Sequence, residues 1–197
     1  MELPFAPSCE RNQQPICDAL SDIFSAPGQI LEVASGTGQH GVYFAGALPH
    51  LRWQCTDLDS ALPGLSARIA QAQLSNLPAP MMLDILEGPW PDIQASGLFA
   101  ANLLHIASWP EVCALFANCA TSLKAGGRLV IYGPFNDNGF TSDGNVSLDA
   151  WARRTFPGGG LRELSAISEL ALSHHFLVPK VQTMPANNVL LSMVYSP

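Results

Sequence analysis

The chain has 197 residues, 48% apolar and 13% charged, with 9 Lys plus Arg against 16 Asp plus Glu and a formal net charge of −7. That length fits one domain with a sizeable core, and that composition excludes a disordered segment. Scattered cations give no basic face for phosphates, so nucleic acid is not an expected partner, and no apolar run is long enough to span a membrane.

Residues 1–12 read as an arm. A helix over 15–25 follows, with Pro15 in its first turn and Ile16, Leu20, Ile23 and Phe24 at helical spacing. Ala26-Pro27-Gly28 stops it. Residues 29–34 predict a first strand, 35–38 a Gly-rich turn, and 39–48 a helix. A second strand over 51–56 ends at Asp57, a helix takes 60–74, and a third strand takes 80–84. The fourth strand is 98–103. A helix over 110–123 starts after Ser108 as a cap and is ended by Ala125-Gly126-Gly127. The fifth strand is 128–133. Strands alternating with helices imply βαβ units and a parallel sheet.

The remainder departs from that alternation. Residues 136–160 read as a long polar, Gly-rich loop around one short helix over 147–155, placed as a lid on a substrate. A helix over 163–175 follows, then strands over 176–184 and 189–195. The short turn between those strands makes them antiparallel. The expected fold is a single-domain α/β, Rossmann-like doubly wound sheet. It has seven mostly parallel strands and a C-terminal antiparallel hairpin. Residues 1–197 form one domain in which 1–27 are the arm and first helix.

Cys9, Cys17, Cys55, Cys113 and Cys119 are odd in number and include no C-x-x-C pair. They read as free thiols of a reducing compartment, and the first residues lack the basic start and apolar run of a leader, so a cytoplasmic protein is expected. No H-x-x-x-H or H-E-x-x-H occurs, and no metal site is expected.

Ligands of open α/β sheets bind beyond the carboxyl ends of the strands. The turn after Glu32 lies there, and the small residues Ala34, Ser35, Gly36 and Gly38 let backbone approach a ligand closely. Gly36-Thr37-Gly38-Gln39-His40-Gly41 also matches the dinucleotide pattern G-x-G-x-x-G, a weak signal alone. Charge separates the two. A pyrophosphate wants bare amides and no nearby anion. Here Glu32 is expected to point its carboxylate at the loop, and Arg11 is the only cation among residues 1–51. Asp57, at the end of strand two, suits the two donor hydroxyls of a ribose. Asp84, at the end of strand three, suits the amine of adenine, with Ile85 packing on the ring. An acidic, phosphate-free cradle favours S-adenosylmethionine (SAM), which carries a sulfonium and an ammonium, over a nicotinamide dinucleotide.

These residues resemble the class I SAM-dependent methyltransferases. The matching pieces are 31–38, Thr56-Asp57-Leu58, Leu83-Asp84-Ile85, 101–105 and 123–132, and the family's usual first glycine is Ala34 here. The resemblance implies methyl transfer from SAM, leaving S-adenosylhomocysteine (SAH), to a small-molecule or protein acceptor. It adds Leu58 to the cofactor set. It places Asn102 and His105 between cofactor and acceptor, with His105 either a base where the acceptor holds its proton or a side chain that contacts the methionyl end or fills the pocket wall. His40 either lies near the methionyl group or faces solvent on its helix. Trp109, Tyr132 and Phe135 are candidates for the pocket border. A narrower resemblance, carried by 7–12, 31–40 and Gly133-Pro134-Phe135, is to the methyltransferase-like 26 family of unassigned substrate. It implies an arm folded over the cofactor, with Arg11 holding the methionyl carboxylate in a bidentate fork and Asn12 assisting.

Two other readings stay open. An NAD(P)-dependent short-chain-type oxidoreductase would want a Tyr followed four residues later by Lys, and Tyr43, Tyr132 and Tyr195 lack it. A non-catalytic SAM-binding module would keep the loop and the acids. The acceptor and the oligomeric state are not legible.

Overall fold

The computed structural model describes residues 3–197, so Met1 and Glu2 of the expected arm lie outside the described residues. Its strands are β1 (Gly28–Glu32), β2 (Leu51–Asp57), β3 (Met81–Met82), β4 (Ala95–Ala101), β5 (Leu123–Pro134), β6 (Lys180–Met184) and β7 (Asn188–Val194). They form one sheet in the order β3-β2-β1-β4-β5-β7-β6. The first five run parallel, and β7 runs antiparallel between β5 and β6. The expected single α/β domain with a C-terminal antiparallel hairpin is the observed one. The chain builds outward from β1 to β3, then crosses back to β4, so the order reverses between β1 and β4. That reversal is the switch point where open sheets leave a crevice.

Helices cover both faces, which is why the central strands are apolar on both sides. On one face α1 (Pro7–Ile23), α2 (Gln39–Ala47) and α3 (Leu62–Ala72) bury Ile16, Leu20, Phe44 and Leu65 against Ile30 and Trp53. On the other, α4 (Trp109–Ser122) and α6 (Leu164–Ser173) bury Leu115, Phe116 and Ile167 against Leu31 and Leu98. Helix α5 (Asp143–Thr155) lies beyond the carboxyl end of β5, where Asn145 donates to the carbonyl of Phe135 (3.1 Å). Among the described residues no helix is long and apolar enough to cross a membrane.

Several boundaries differ from expectation, each for a local reason. Helix α1 begins at Pro7, eight residues early, and carries Pro15 inside it. Pro7 suits the first turn. Pro15 removes one donor from the ladder, and the burial of Ile16, Cys17, Ala19 and Leu20 holds the helix together regardless. Strand β3 shrinks to two exposed residues at the sheet edge. Helix α4 passes straight into β5 at Leu123, so the expected glycine stop is absent. Gly126 (φ +77) instead shapes the irregular start of β5, where the pairing with β4 shifts register. Helix α5 starts four residues early, because Ser142 caps it by accepting from the amide of Asn145 (3.1 Å). The segment 136–160 is therefore mostly helix rather than loop. Strand β6 starts only at Lys180, leaving Leu177 and Val178 exposed ahead of it.

The expected cap on α4 is present as a reciprocal box. The Ser108 hydroxyl accepts from the amide of Glu111, and the Glu111 carboxylate accepts from the amide of Ser108. Ser108→Ala should therefore lower stability by about 1 kcal/mol in urea unfolding. An unchanged midpoint would show that the cap contributes nothing.

Candidate functional site

The chain leaves β1 at Glu32 and must start α2 at Gln39. It does so through three residues in left-handed backbone: Ala34 (φ +56), Gly36 (φ +56) and Gly38 (φ +76). Such backbone costs a residue with a Cβ roughly 1–2 kcal/mol, so Ala34 carries strain that the usual glycine would avoid. A Cβ on Gly38 would stand 2.5 Å from Leu65 Cδ1, whereas one on Gly36 would meet nothing within 4 Å. The open space is thus at Gly36. Ser35 faces the other way. Its amide donates to the carbonyl of Thr56 (2.9 Å) and its hydroxyl accepts from the amide of Thr56 (3.2 Å), which stitches the loop to β2.

Asp57 fixes the loop from the end of β2. One carboxylate oxygen accepts from the amide of Gly36 (2.6 Å) and the other from the amide of Leu58 (2.7 Å). Each oxygen retains a lone pair for a further donor. Asp84 uses Oδ1 for the amides of Leu86 (2.8 Å) and Glu87 (3.1 Å), and its other oxygen makes no hydrogen bond. Ala34, Leu58 and Ile85 join these two acids in lining one cleft of about 290 Å3. Five residues singled out in the sequence thus meet in one place, at the switch point. Among the described residues no Lys or Arg lines it.

Other lining residues escaped the sequence reading. Leu103, Ile106 and Ala107 close the opposite wall. Their i, i+3, i+4 spacing after strand four was the available signal. Phe156, from the end of α5, had none.

Glu32 does not point at the loop as expected. It is 2% exposed and turned under α2, where its Oε2 accepts from Trp53 Nε1 (2.9 Å) and Cys55 Sγ (3.3 Å). Gly41 lets α2 approach closely enough for this, since a Cβ there would lie 2.8 Å from Glu32 Oε2. Burial without a cation raises the Glu32 carboxyl to about 7. The sequence also gave no hint of Arg68, which reaches the back of the loop and donates to the carbonyls of Thr37 (2.6 Å) and Pro4. The first turn of α1 lies beside it, where the amide of Ala6 donates to Gln39 Oε1 (2.6 Å).

His40 neither faces solvent nor opens onto the cleft. It is 4% exposed, stacks on Phe44 (centroids 5.3 Å apart) and meets Asn12 Oδ1 through Nε2 (2.7 Å). Both side chains join α1 to α2. Burial lowers the His40 imidazole to about 4.

A second cavity, of about 460 Å3, adjoins the first across residues 102–107. Arg11, Asn102 and His105 line it, facing Asn145, Leu148 and Trp151 of α5. Asn102 takes φ +55 as the chain leaves β4. His105 is buried, and desolvation together with the charge of Arg162 holds its imidazole near 4. Of the border aromatics, Tyr132 and Phe135 are buried in the cores, and Trp109 is 39% exposed beneath the Arg162 guanidinium.

The profile of a family described as "Protein of unknown function (DUF938)" matches residues 3–195. The chain belongs to the DUF938 family. Among solved structures, this DUF938 chain is similar to the SAM-dependent methyltransferase SibL in its apo form, with 21% identity and a TM-score of 0.82 over 96% of this chain and 56% of that one. It is also similar to an O-methyltransferase family 2 protein from Planctomyces limnophilus in complex with apigenin (19%, 0.79, 93% and 57%). A third is human N-acetylserotonin methyltransferase in complex with SAM (14%, 0.74, 96% and 58%). The DUF938 chain spans a little over half the length of these proteins, and at these identities the likeness is one of fold.

The buried acid and the two buried imidazoles act on stability in opposite senses. Glu32 titrates higher folded than unfolded, so its contribution is full below its ordinary value of 4.5 and is lost as pH rises through about 7. His40 and His105 titrate lower when folded, so theirs is present above 6.5 and is lost as pH falls through about 4. Glu32→Gln removes only the first. The variant should gain on the parent between pH 4.5 and 7, by roughly 3 kcal/mol at the plateau. Urea unfolding at pH 5 and pH 8 checks this, and a pH-independent difference between the two proteins would contradict it.

Proposed function

We propose that this protein binds SAM in the cleft at the switch point and transfers its methyl group to an acceptor in the adjoining cavity, releasing SAH. The observation that carries the reading is the convergence of Asp57 and Asp84, both with free acceptor capacity, on a cleft that no Lys or Arg lines among the described residues. The fold likeness to SAM-dependent methyltransferases supports it.

When bound, SAM supplies a methyl group already activated on a sulfonium. The chain has to hold, orient and desolvate. Asp57 accepts the ribose hydroxyls, and the free oxygen of Asp84 accepts the adenine amine. Leu58, Ile85 and Leu103 flank the ring. Ala34, Gly36 and Gly38 give the loop the backbone that admits the ligand, and Gly36 carries the open space. Ser35, Glu32, His40 and Asn12 act from behind, by holding the loop and α1 in place. Asn102 stands where the two cavities meet. The narrower likeness to the methyltransferase-like 26 family enters only through the arm. It offers Arg11, from the first turns of α1, to the methionyl carboxylate.

The acceptor side is walled by α5, so the segment 136–160 covers the substrate as one wall of that cavity. A small molecule suits a cavity of about 460 Å3, and the apigenin complex of the Planctomyces protein supports that class over a protein acceptor. Alignment of donor and acceptor supplies most of the rate, on the order of 7–11 kcal/mol in favourable systems. His105, neutral with a pKa near 4, is a weak base at neutral pH. Its part is to fill and shape the cavity.

SAM and SAH should raise the melting temperature, and NAD and NADP should not. Asp57→Ala should weaken SAH binding about 10- to 100-fold by calorimetry, the size of a lost hydrogen bond to a charged group. Uptake of a nicotinamide dinucleotide without competition from SAH would end this reading.

A further inference from the structure

A second recess lies on the α1 side of the sheet and has no part in the cleft. The register places Val130, Ser192 and Lys180 in one row across β5, β7 and β6, with Tyr132, Leu190 and Gln182 in the next. Residues paired across neighbouring strands point to the same face, as do residues two apart on one strand. Arg128, two before Val130, therefore shares that face. The last turns of α1 form the opposite wall through Ala19, Asp22 and Ile23, and the space enclosed is about 170 Å3. Arg128 lies six residues upstream of Pro134 on β5, roughly 20 Å of strand away from the acceptor-side cavity.

Three chemical features converge there. Arg128 and Lys180 both line the recess, in a chain whose net charge is −7. Neither has a carboxylate partner, since the one ion pair among the described residues joins Arg153 to Asp149. Ser192 is 5% exposed, and its hydroxyl has no hydrogen-bond partner, an uncommon state for a buried polar atom. Leu190 and Ile23 add apolar surface, and among the described residues Asp22 is the only acid at the rim.

We propose that this recess binds a small carboxylate bearing a short apolar chain. Its carboxylate is taken by the Arg128 guanidinium and the Lys180 ammonium, beside the Ser192 hydroxyl, and its chain lies on Leu190 and Ile23. Asp22, across the recess, offers a partner to a protonated amine, which makes an α-amino acid the favoured form. Inorganic phosphate fits less well, because it leaves the apolar surface bare and brings a second negative charge near Asp22. The site is independent of what the cleft binds.

Amide chemical shifts followed by NMR during titration with L-leucine, isocaproate, isoamylamine and inorganic phosphate test this. Both carboxylates should shift the amides of residues 19–23, 128–130, 180–182 and 190–192. L-leucine should bind tightest, and Asp22→Asn should bring it down to isocaproate. Arg128→Gln and Lys180→Gln should each weaken L-leucine about tenfold while leaving SAH binding unchanged, which separates this site from the cleft. Equal binding of L-leucine and isocaproate would uphold the carboxylate site and assign it to simple acids. Isoamylamine or phosphate binding as tightly as the carboxylates, or no response at these amides, would overturn the proposal.

Discussion

The carboxylate of Asp57 is the fastening on which the candidate site depends. The loop after β1 reverses direction in six residues through three left-handed positions, one of them an alanine. That shape has little to hold it locally. Most of what fixes it comes from β2, twenty-one residues on: Asp57 on the amide of Gly36, and the two bonds between Ser35 and Thr56, to which Arg68 of α3 adds its bond to the carbonyl of Thr37. The loop after β1 and the end of β2 therefore form one unit, and β3 and β4 supply only the side walls.

A second unit is the strip 102–107, which walls both cavities. Its carbonyls are taken by residues that follow α5. Gly160 donates its amide to His105 (2.9 Å), and Arg162 donates to Leu104 (3.1 Å) and to Ala107. Arg162 also donates to the carbonyl of Gly158 (2.8 Å). The helix that walls the larger cavity is thereby tied to the strip that walls the cleft. A change in one cavity has a short covalent and hydrogen-bonded route to the other.

The alternation of strands and helices and the final hairpin were legible because apolar runs bounded by glycine and proline mark them directly. The position of Asp57 was legible for a related reason, since a residue that ends a parallel strand has its place fixed by the fold, whereas Asp84 lies two residues beyond the shortened β3. What failed was whatever depends on tertiary partners. Pro15 reads as a helix start, yet packing on the sheet carries α1 through it. Gly126 reads as a helix stop, yet it serves a strand irregularity. Residues 143–146 read as part of a loop, yet Ser142 caps a helix there. The position of Glu32 was clear and its direction was not, because Trp53 and Cys55, which draw it inward, lie more than twenty residues away. His40 and Asn12 meet only because α1 reaches α2.

The failure at Glu32 changes the physical reason for preferring SAM over a dinucleotide. The negative floor inferred from that residue is absent, and Arg68 behind the loop brings a positive charge. The better reason lies in the backbone. A pyrophosphate is cradled by free amides of the glycine turn as well as by those of the helix it opens. Here the amide of Ser35 is given to Thr56, that of Gly36 to Asp57 and that of Gly38 to the carbonyl of Ser35 (2.9 Å). The loop has the glycines of a phosphate cradle with three of its amides already used, one of them by a carboxylate that would repel a phosphate. A ligand without phosphate loses nothing at such a loop, and on the proposed reading its adenosyl half meets Asp57 and Asp84, which line the same cleft.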